Sequence, residues 1–215
     1  MSNSIDGLNS RYGKVIRKTN ESDVYVEVHL DENAGDNATA EGKILGVSCE
    51  TGIPFFDHML SQLGKHSGIG LIIKSKGDIN VDTHHSVEDV GITLGQAFSK
   101  ALGDKKGVSR FASAFVPLDE ALAQVVIDLS GRGYLVYNVE TESSLPLGNP
   151  GFEPQLAEEF LRAFAANGQF TLHVNLAYGK NTHHILEAIF KALGRAVASS
   201  IKIEGREIPS TKGVL

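Results

Sequence analysis

Thr83-His84-His85-Ser86-Val87-Glu88 and Thr182-His183-His184-Ile185-Leu186-Glu187 are one phrase written twice, 99 residues apart. Each opens an apolar run at helical spacing, Val90, Leu94 and Phe98 after the first and Ile189, Leu193 and Val197 after the second. That pattern predicts that both pairs stand in the first turn of a helix. Neighbouring residues on a helix diverge by about 100°, so the two imidazoles of a pair face different sites. His85 with Glu88 is an i, i+3 pair and His84 with Glu88 an i, i+4 pair, and either brings two side chains to one face. Each helix thus offers a two-residue clamp and a spare imidazole. Repetition with the glutamate in phase points to metal, with room for two ions on two such helices.

Outward from these helices the rest of the chain repeats as well. Before the first lie a half-buried strand, Val24 to Leu30, with Val24, Val26, Val28 and Leu30 inward and His29 in solvent. An acidic connection over Asp31 to Gly42 leads to a strand over Lys43 to Cys49, a helix over Phe55 to His66 and a short buried strand over Ile69 to Ile73. The second half reads alike: strands over Leu122 to Leu129 and Tyr134 to Val139, a helix from Glu153 to Asn167, a strand over Phe170 to Leu176, then the second His-His helix. The expected fold is α/β (α+β), an internal duplication of two ββαβα halves whose sheets pack on one core with the helices outside. The expected division is a loose N-terminal tail over 1–12, repeats over 13–105 and 106–203, and a C-terminal segment over 204–215, together one compact domain. The copies are too long and too few for a solenoid.

Composition narrows the function classes. Of 215 residues 41% are hydrophobic and 21% charged, enough to bury a core. A net charge of −6 argues against a sequence-independent grip on nucleic acid, which needs clustered Lys and Arg. The single Cys49 forms no internal disulfide and reads as a small core residue, so a metal site is built from nitrogen and oxygen. No apolar run reaches membrane-spanning length and no signal peptide is evident, so a cytoplasmic protein is expected.

The duplication also pairs residues between the halves. His58 lies 26 residues before His84, and 24 residues before His183 stands Glu159. Pseudo-symmetry makes these equivalent ligands, each completing the clamp of its own half, since a carboxylate can replace an imidazole at a borderline ion. His173 is the rival to Glu159. His66 is either an outer partner of a ligand or a residue suited to a helix C-terminus.

Phe56-Asp57-His58-Met59-Leu60, Asp82-Thr83-His84-His85 with Glu88-Asp89, Pro117-Leu118-Asp119-Glu120, Asp128-Leu129-Ser130-Gly131-Arg132, Asn181-Thr182-His183-His184 with Glu187, and Ile208-Pro209-Ser210-Thr211-Lys212-Gly213-Val214 together resemble the imidazoleglycerol-phosphate dehydratases of histidine biosynthesis. The likeness covers nearly the whole chain. It implies a ribosomal protein S5 domain 2-like fold and a hydro-lyase that converts D-erythro-imidazole glycerol phosphate to imidazole acetol phosphate. It also implies two Mn2+ ions per active site and a homo-oligomer of twenty-four subunits with interfacial sites. Carried over by position, one ion takes His58, His85, Glu88 and His183, and the other His84, His184, Glu187 and Glu159, the last a departure from the histidine of many members. The resemblance makes Glu21 the acid-base group and lines the pocket with Gln62 and His66. Arg110, Arg132, Lys191, Ser210, Thr211 and Lys212 then hold phosphate and substrate.

The chemistry suits such parts. The hydrogen removed is not activated by a carbonyl, and a divalent ion on the imidazole makes its N–H acidic enough for the ring to help expel the neighbouring hydroxyl. Two ions fix geometry, and a carboxylate moves protons between carbon and oxygen. Lys191, four residues past Glu187, shares its helical face. Two other classes use the same residues: a dinuclear metal hydrolase, marked by phosphate release from phosphoesters, and a non-catalytic metal-linked assembly protein, marked by an oligomer that chelation dissolves.

Overall fold

The computed structural model describes residues 11–31 and 46–215. Among them the chain forms β1 (Tyr12–Lys18), β2 (Ser22–His29), β3 (Val47–Glu50), α1 (Pro54–Ser67), β4 (Gly70–Gly77) and α2 (His84–Leu102). The same succession follows as β5 (Phe111–Leu118), β6 (Ala121–Asp128), β7 (Tyr134–Asn138), α3 (Leu156–Gly168), β8 (Thr171–Tyr178) and α4 (Thr182–Ser200). The two sheets have identical topology, β1-β2-β4-β3 and β5-β6-β8-β7. In each the first three strands are antiparallel and the last joins in parallel. The duplication therefore holds at the level of strand order.

Local chemistry sets the elements. Val24, Val26 and Val28 are fully buried while Asp23, Tyr25 and Glu27 alternate outward, the period of a strand with one wet face. Pro54 opens α1, where its missing N–H is no loss, and Gly68 closes it in the left-handed conformation. The Asn181 side chain caps α4 by accepting from the N–H groups of His183 and His184.

Three expectations are corrected. First, the layer order is inverted: α1 and α2 cover the first sheet, α3 and α4 the second, and α2 packs on α3 as α1 packs on α4. The helices form the interior, with the sheets outside. Each helix is apolar over more than one stripe. α4 alone buries Ile185, Leu186, Ile189, Phe190, Leu193 and Val197, which needs both a sheet and a helix as cover. Phe160 stacks on Phe190 at 5.5 Å and meets Phe56 edge-on at 5.2 Å, knitting the halves together.

Second, each half has a leading strand, β1 and β5, that the alternation did not disclose. In β1 the outward positions are Tyr12, Lys14, Ile16 and Lys18, and in β5 the bulky Phe111 and Phe115 face out while Ala112 and Ala114 face the core. Edge strands carry Lys and Pro, and Pro117 is one such. The tail expected over 1–12 thus ends earlier, with Tyr12 in β1 and Arg11 bound to Asp31 and, at 2.6 Å, to the Ile201 carbonyl. Residues 1–10 lie outside the described residues, as do 32–45, which hold most of the acidic connection and the start of the expected strand over Lys43 to Cys49. Third, His29 is 5% exposed rather than solvated, and among the described residues neither ring nitrogen has a hydrogen-bond partner.

Cys49 packs against the core, and burial pushes its thiol up to about 12. Among the described residues no helix is long and apolar enough to cross a membrane.

Candidate metal centre

Where α1 crosses α4, three donors converge. His183 Nε2 lies 3.0 Å and His58 Nε2 3.2 Å from the same Glu187 Oε2, and one ligand atom from each residue falls within 4.8 Å of the others. Helix geometry explains the pair on α4, since His183 and Glu187 are i, i+4. Packing supplies the third, with the Phe55 ring edge-on to His183 at 5.1 Å. Burial alone would raise the Glu187 pKa, but hydrogen bonds from Lys191, His58 and His183 outweigh it and bring it to about 2. Lys191 Nζ sits 2.7 Å from Oε1, on the face predicted for it. Two imidazoles and a carboxylate whose pKa its neighbours hold low, partly buried, suit a borderline divalent cation.

This grouping agrees with the set carried over by resemblance in bringing His58 to His183, and departs from it in the glutamate and from the pseudo-symmetry reading in the half that His58 serves. His58 does not complete the clamp of its own half; it meets the clamp of the other. Glu187 joins His58 and His183 rather than His184 and Glu159. The physical reason is the inverted layer order, which packs the first helix of one half against the second helix of the other. Gln62 Nε2 approaches His58 Nδ1 at 3.4 Å, and His66 follows one turn later. Burial, and then the charges of Lys191 and Arg195, lower the His66 pKa.

The second histidine of each pair turns elsewhere. His184 Nδ1 lies 2.7 Å from Glu120 Oε2; this bond raises the His184 pKa and lowers that of Glu120 to about 2. His85 Nδ1 lies 3.3 Å from Asp78 Oδ2, and that bond raises its pKa. Glu21 Oε2 stands off at 3.9 Å from the same nitrogen, with its side chain 55% exposed. Sequence reasoning gave Asp78 no role and quoted Glu120 only within a motif. A carboxylate in each turn beside the paired histidines was the available signal.

Among the described residues no second trio of ligands comes together. His84 is half-buried and Glu88 exposed at the start of α2, and Glu159 lies in the first turn of α3 with Arg162 Nε at 3.8 Å. His173 is exposed on β8, opposite Val126 and Val136 on the face away from the helices.

The cations form a separate grouping. Arg110, at φ 72°, donates to Asp128 at 2.8 Å and to the Pro209 carbonyl at 2.7 Å. The loop before β5 is tied to the C-terminal segment through Gly107 and Glu207. Arg132 bonds the Ser130 carbonyl at 3.4 Å, and Ser210 accepts from the Lys212 N–H at 3.2 Å. Thr211 and Lys212 are exposed beside them. Arg110 immediately precedes β5 and the Glu120 that holds His184 lies just past its other end, so roughly 26 Å of strand separates them.

Comparison with known proteins adds a family. Residues 51–197 match the model described as imidazoleglycerol-phosphate dehydratase. A relative from Caldanaerobacter subterraneus subsp. tengcongensis, bearing that name, is 50% identical over 95% of this chain and 100% of its own length. One of the same name from Lacticaseibacillus casei is 46% identical over the same shares. Among solved structures, the imidazoleglycerol-phosphate dehydratase of Staphylococcus aureus has a TM-score of 0.73 at 34% identity, covering 89% of this chain and 99% of that one. The corresponding structure from Pyrococcus furiosus gives 0.75 at 33%, covering 94% and 100%.

Proposed function

The chain belongs to the imidazoleglycerol-phosphate dehydratase family and is a hydro-lyase of histidine biosynthesis; from that premise we propose that it works with two divalent ions per active site, Mn2+ by preference, in a homo-oligomer. The convergence of His58, His183 and Glu187 carries this reading. These three would hold one ion. Their counterparts in the duplicated unit, Glu159, His84 and Glu88 on the α3 and α2 pair, would hold the other. His85 and His184, turned away from the His58 cluster, are free to complete sites in neighbouring copies.

A bound pair of ions supplies Lewis acidity, which makes the substrate's ring N–H acidic and orients the diol. The remaining work falls to the chain. Glu21, exposed and 3.9 Å from His85 Nδ1, takes a proton from the carbon and delivers one to the departing hydroxyl oxygen, so that water leaves. Gln62 and His66 continue the His58 face of α1 and line the pocket. Lys191 holds Glu187 in its charged form. Arg110, Arg132, Ser210, Thr211 and Lys212 bind the phosphate and close the C-terminal segment over it.

A substrate of this size cannot reach from Arg110 to His184 across the length of β5, which supports an active site shared between copies. The outer face of the second sheet supports assembly too. Phe111, Phe115 and Tyr134 are 59–64% exposed there, whereas the first sheet's outer face is crossed by a Lys14–Glu27 ion pair. Exposed aromatic rings on the two edge strands of one sheet suit contacts with another copy. Twenty-four subunits is the size that the family resemblance suggests, and a cytoplasmic location accords with a single, partly buried thiol.

The test is turnover of imidazole glycerol phosphate by ion-stripped and Mn2+-restored protein, with His58→Ala and Glu187→Ala beside them. Loss on stripping, recovery with Mn2+ and inactivity of both variants are expected. Undiminished turnover without ions would remove the two-ion reading, and phosphate release without dehydration would favour a hydrolase.

A further inference from the structure

The duplicated halves place the same carboxylate in the same turn and then use it differently. Glu21 is the last residue before β2 and Glu120 the last before β6, each closing the hairpin from the leading strand. His85 and His184 are likewise counterparts. What differs is the residue just past the strand that follows: Asp78 after β4, Gly179 after β8. In the first half Asp78 reaches His85 Nδ1 at 3.3 and 3.4 Å through its two oxygens, and Glu21 remains at 3.9 Å. In the second half no side chain fits at 179. A Cβ there would lie 2.7 Å from Ile185 Cγ1 and 3.0 Å from Ala121 Cβ. Glu120 takes the histidine instead, its Oε2 2.7 Å from His184 Nδ1 while Oε1 accepts from the N–H groups of Asn181 at 2.8 Å and Lys180 at 3.3 Å.

We propose that Asp78 and Glu120 are positioning residues that fix Nδ1 of His85 and His184, and that Asp78 does so in place of Glu21, leaving Glu21 unengaged for proton transfer. The inference rests on the two-ion reading above. An imidazole that donates from Nδ1 to a carboxylate is held in one tautomer and one orientation, with Nε2 presented as the lone-pair donor. Glu120 has both oxygens committed, one to the ring and one to the backbone that starts α4, so it has no freedom to shuttle a proton. Glu21 has that freedom because its counterpart's duty has passed to Asp78. The two glutamates, alike by descent from one duplicated turn, are therefore expected to answer differently to the same substitution.

Calorimetric titration of Mn2+ into the ion-stripped full chain separates them. Asp78→Asn and Glu120→Gln should each weaken part of the Mn2+ uptake 10–100-fold, with circular dichroism and oligomer size as in the wild type, and Asp78→Glu should recover most of the loss. Glu21→Gln should bind Mn2+ like the wild type while losing turnover of imidazole glycerol phosphate. If Glu21→Gln weakened Mn2+ as much as Glu120→Gln, or if Asp78→Asn and Glu120→Gln both bound like the wild type, the division of labour would be wrong. Should the α4 cap fail in Glu120→Gln, the Asp78 variants decide alone. A wild-type chain that took up no Mn2+ would sink the two-ion reading itself, before any variant is compared.

Discussion

Gly194→Ala probes the contact on which the His58–His183–Glu187 cluster depends. A Cβ at this position of α4 would lie 2.9 Å from both His66 Cβ and the Leu63 carbonyl oxygen on α1. Carbon atoms rest about 3.5–4.0 Å apart, so the helices must separate by roughly 0.6 Å or more. Two of the three nearest contacts are backbone atoms, which cannot swing aside. Alanine gains about 1 kcal/mol of helix propensity over glycine, whereas overpacking of a filled core costs about 1–3 kcal/mol. With backbone on the receiving side the upper part of that range applies, for a net loss of about 2 kcal/mol. At about 2–4 °C per kcal/mol for a chain of this size, the melting temperature should fall by roughly 4–8 °C. The same separation pulls His58 from Glu187, two turns N-terminal to the substitution. Sites of this kind tolerate only about 0.5 Å of displacement, so Mn2+ affinity should fall about tenfold or more. Scanning calorimetry and Mn2+ titration of the one variant read both effects. A melting temperature raised by alanine's propensity, with unchanged Mn2+ affinity, would refute the reasoning that this crossing is closed to a methyl group and sets the cluster.

Other substitutions address other parts. Asp89, buried at the start of α2, binds Arg17 and Ser22 and so fastens the β1–β2 turn that carries Glu21; Asp89→Asn should cost about 1–3 kcal/mol, read by urea unfolding. Glu187→Ala leaves His58 and His183 without their shared anion and should lower Mn2+ affinity beyond the 10–100-fold that an outer partner is worth, by calorimetry. The bonds to Asp78 and Glu120 raise the pKa values of His85 and His184, so both rings keep a proton to higher pH than an ordinary histidine at about 6.5. Ions must displace those protons, and Mn2+ uptake should weaken as pH falls from 8 to 6, with proton release measurable in weakly buffered solution. Cys49, its thiol pushed up to about 12 by burial, should resist alkylation at pH 8 in the folded chain and react once the chain is unfolded.

How far the sequence could be read depended on which physical signal each element leaves. The paired-histidine helices announce themselves through i, i+4 periodicity, and β2 and β6 through period-2 alternation, since their inner faces are Val, Ala and Ile. β1 and β5 leave no such trace. β5 puts its phenylalanines on the outer surface and its alanines inward, an alternation opposite to that expected of a strand read alone. The layer order was equally hidden, because a helix apolar on two sides and a helix apolar on one wide stripe differ little in a sequence of Ile, Leu and Ala. His29 looked outward by parity alone.

The residues of the site were legible and their grouping only in part, for a connected reason. A repeat shows which residues are equivalent, but equivalence does not say whether a ligand meets its own half or its partner half. Two-fold packing of a duplicated unit allows either. Here α1 lies on α4 and α2 on α3, with Gly194 and its counterpart Gly95 at the points of closest approach. Small residues at equivalent places on α2 and α4 are what let those crossings close. A cluster built across them requires both halves to be folded, so His58 alone, or His183 with Glu187 alone, has no third donor. That dependence gives a physical reason for the duplication to stay within one compact core: separating the halves would remove His58 from Glu187 and expose Phe160 and Phe190 together. Gly95→Ala carries the argument to the other crossing, where a Cβ would lie 2.7 Å from both Asn167 Cβ and the Gly168 nitrogen. It should destabilise the chain at least as much as Gly194→Ala. Stability equal to or above wild type for Gly95→Ala would mean that the two crossings are not equivalent and that the pseudo-symmetry stops at the strand order.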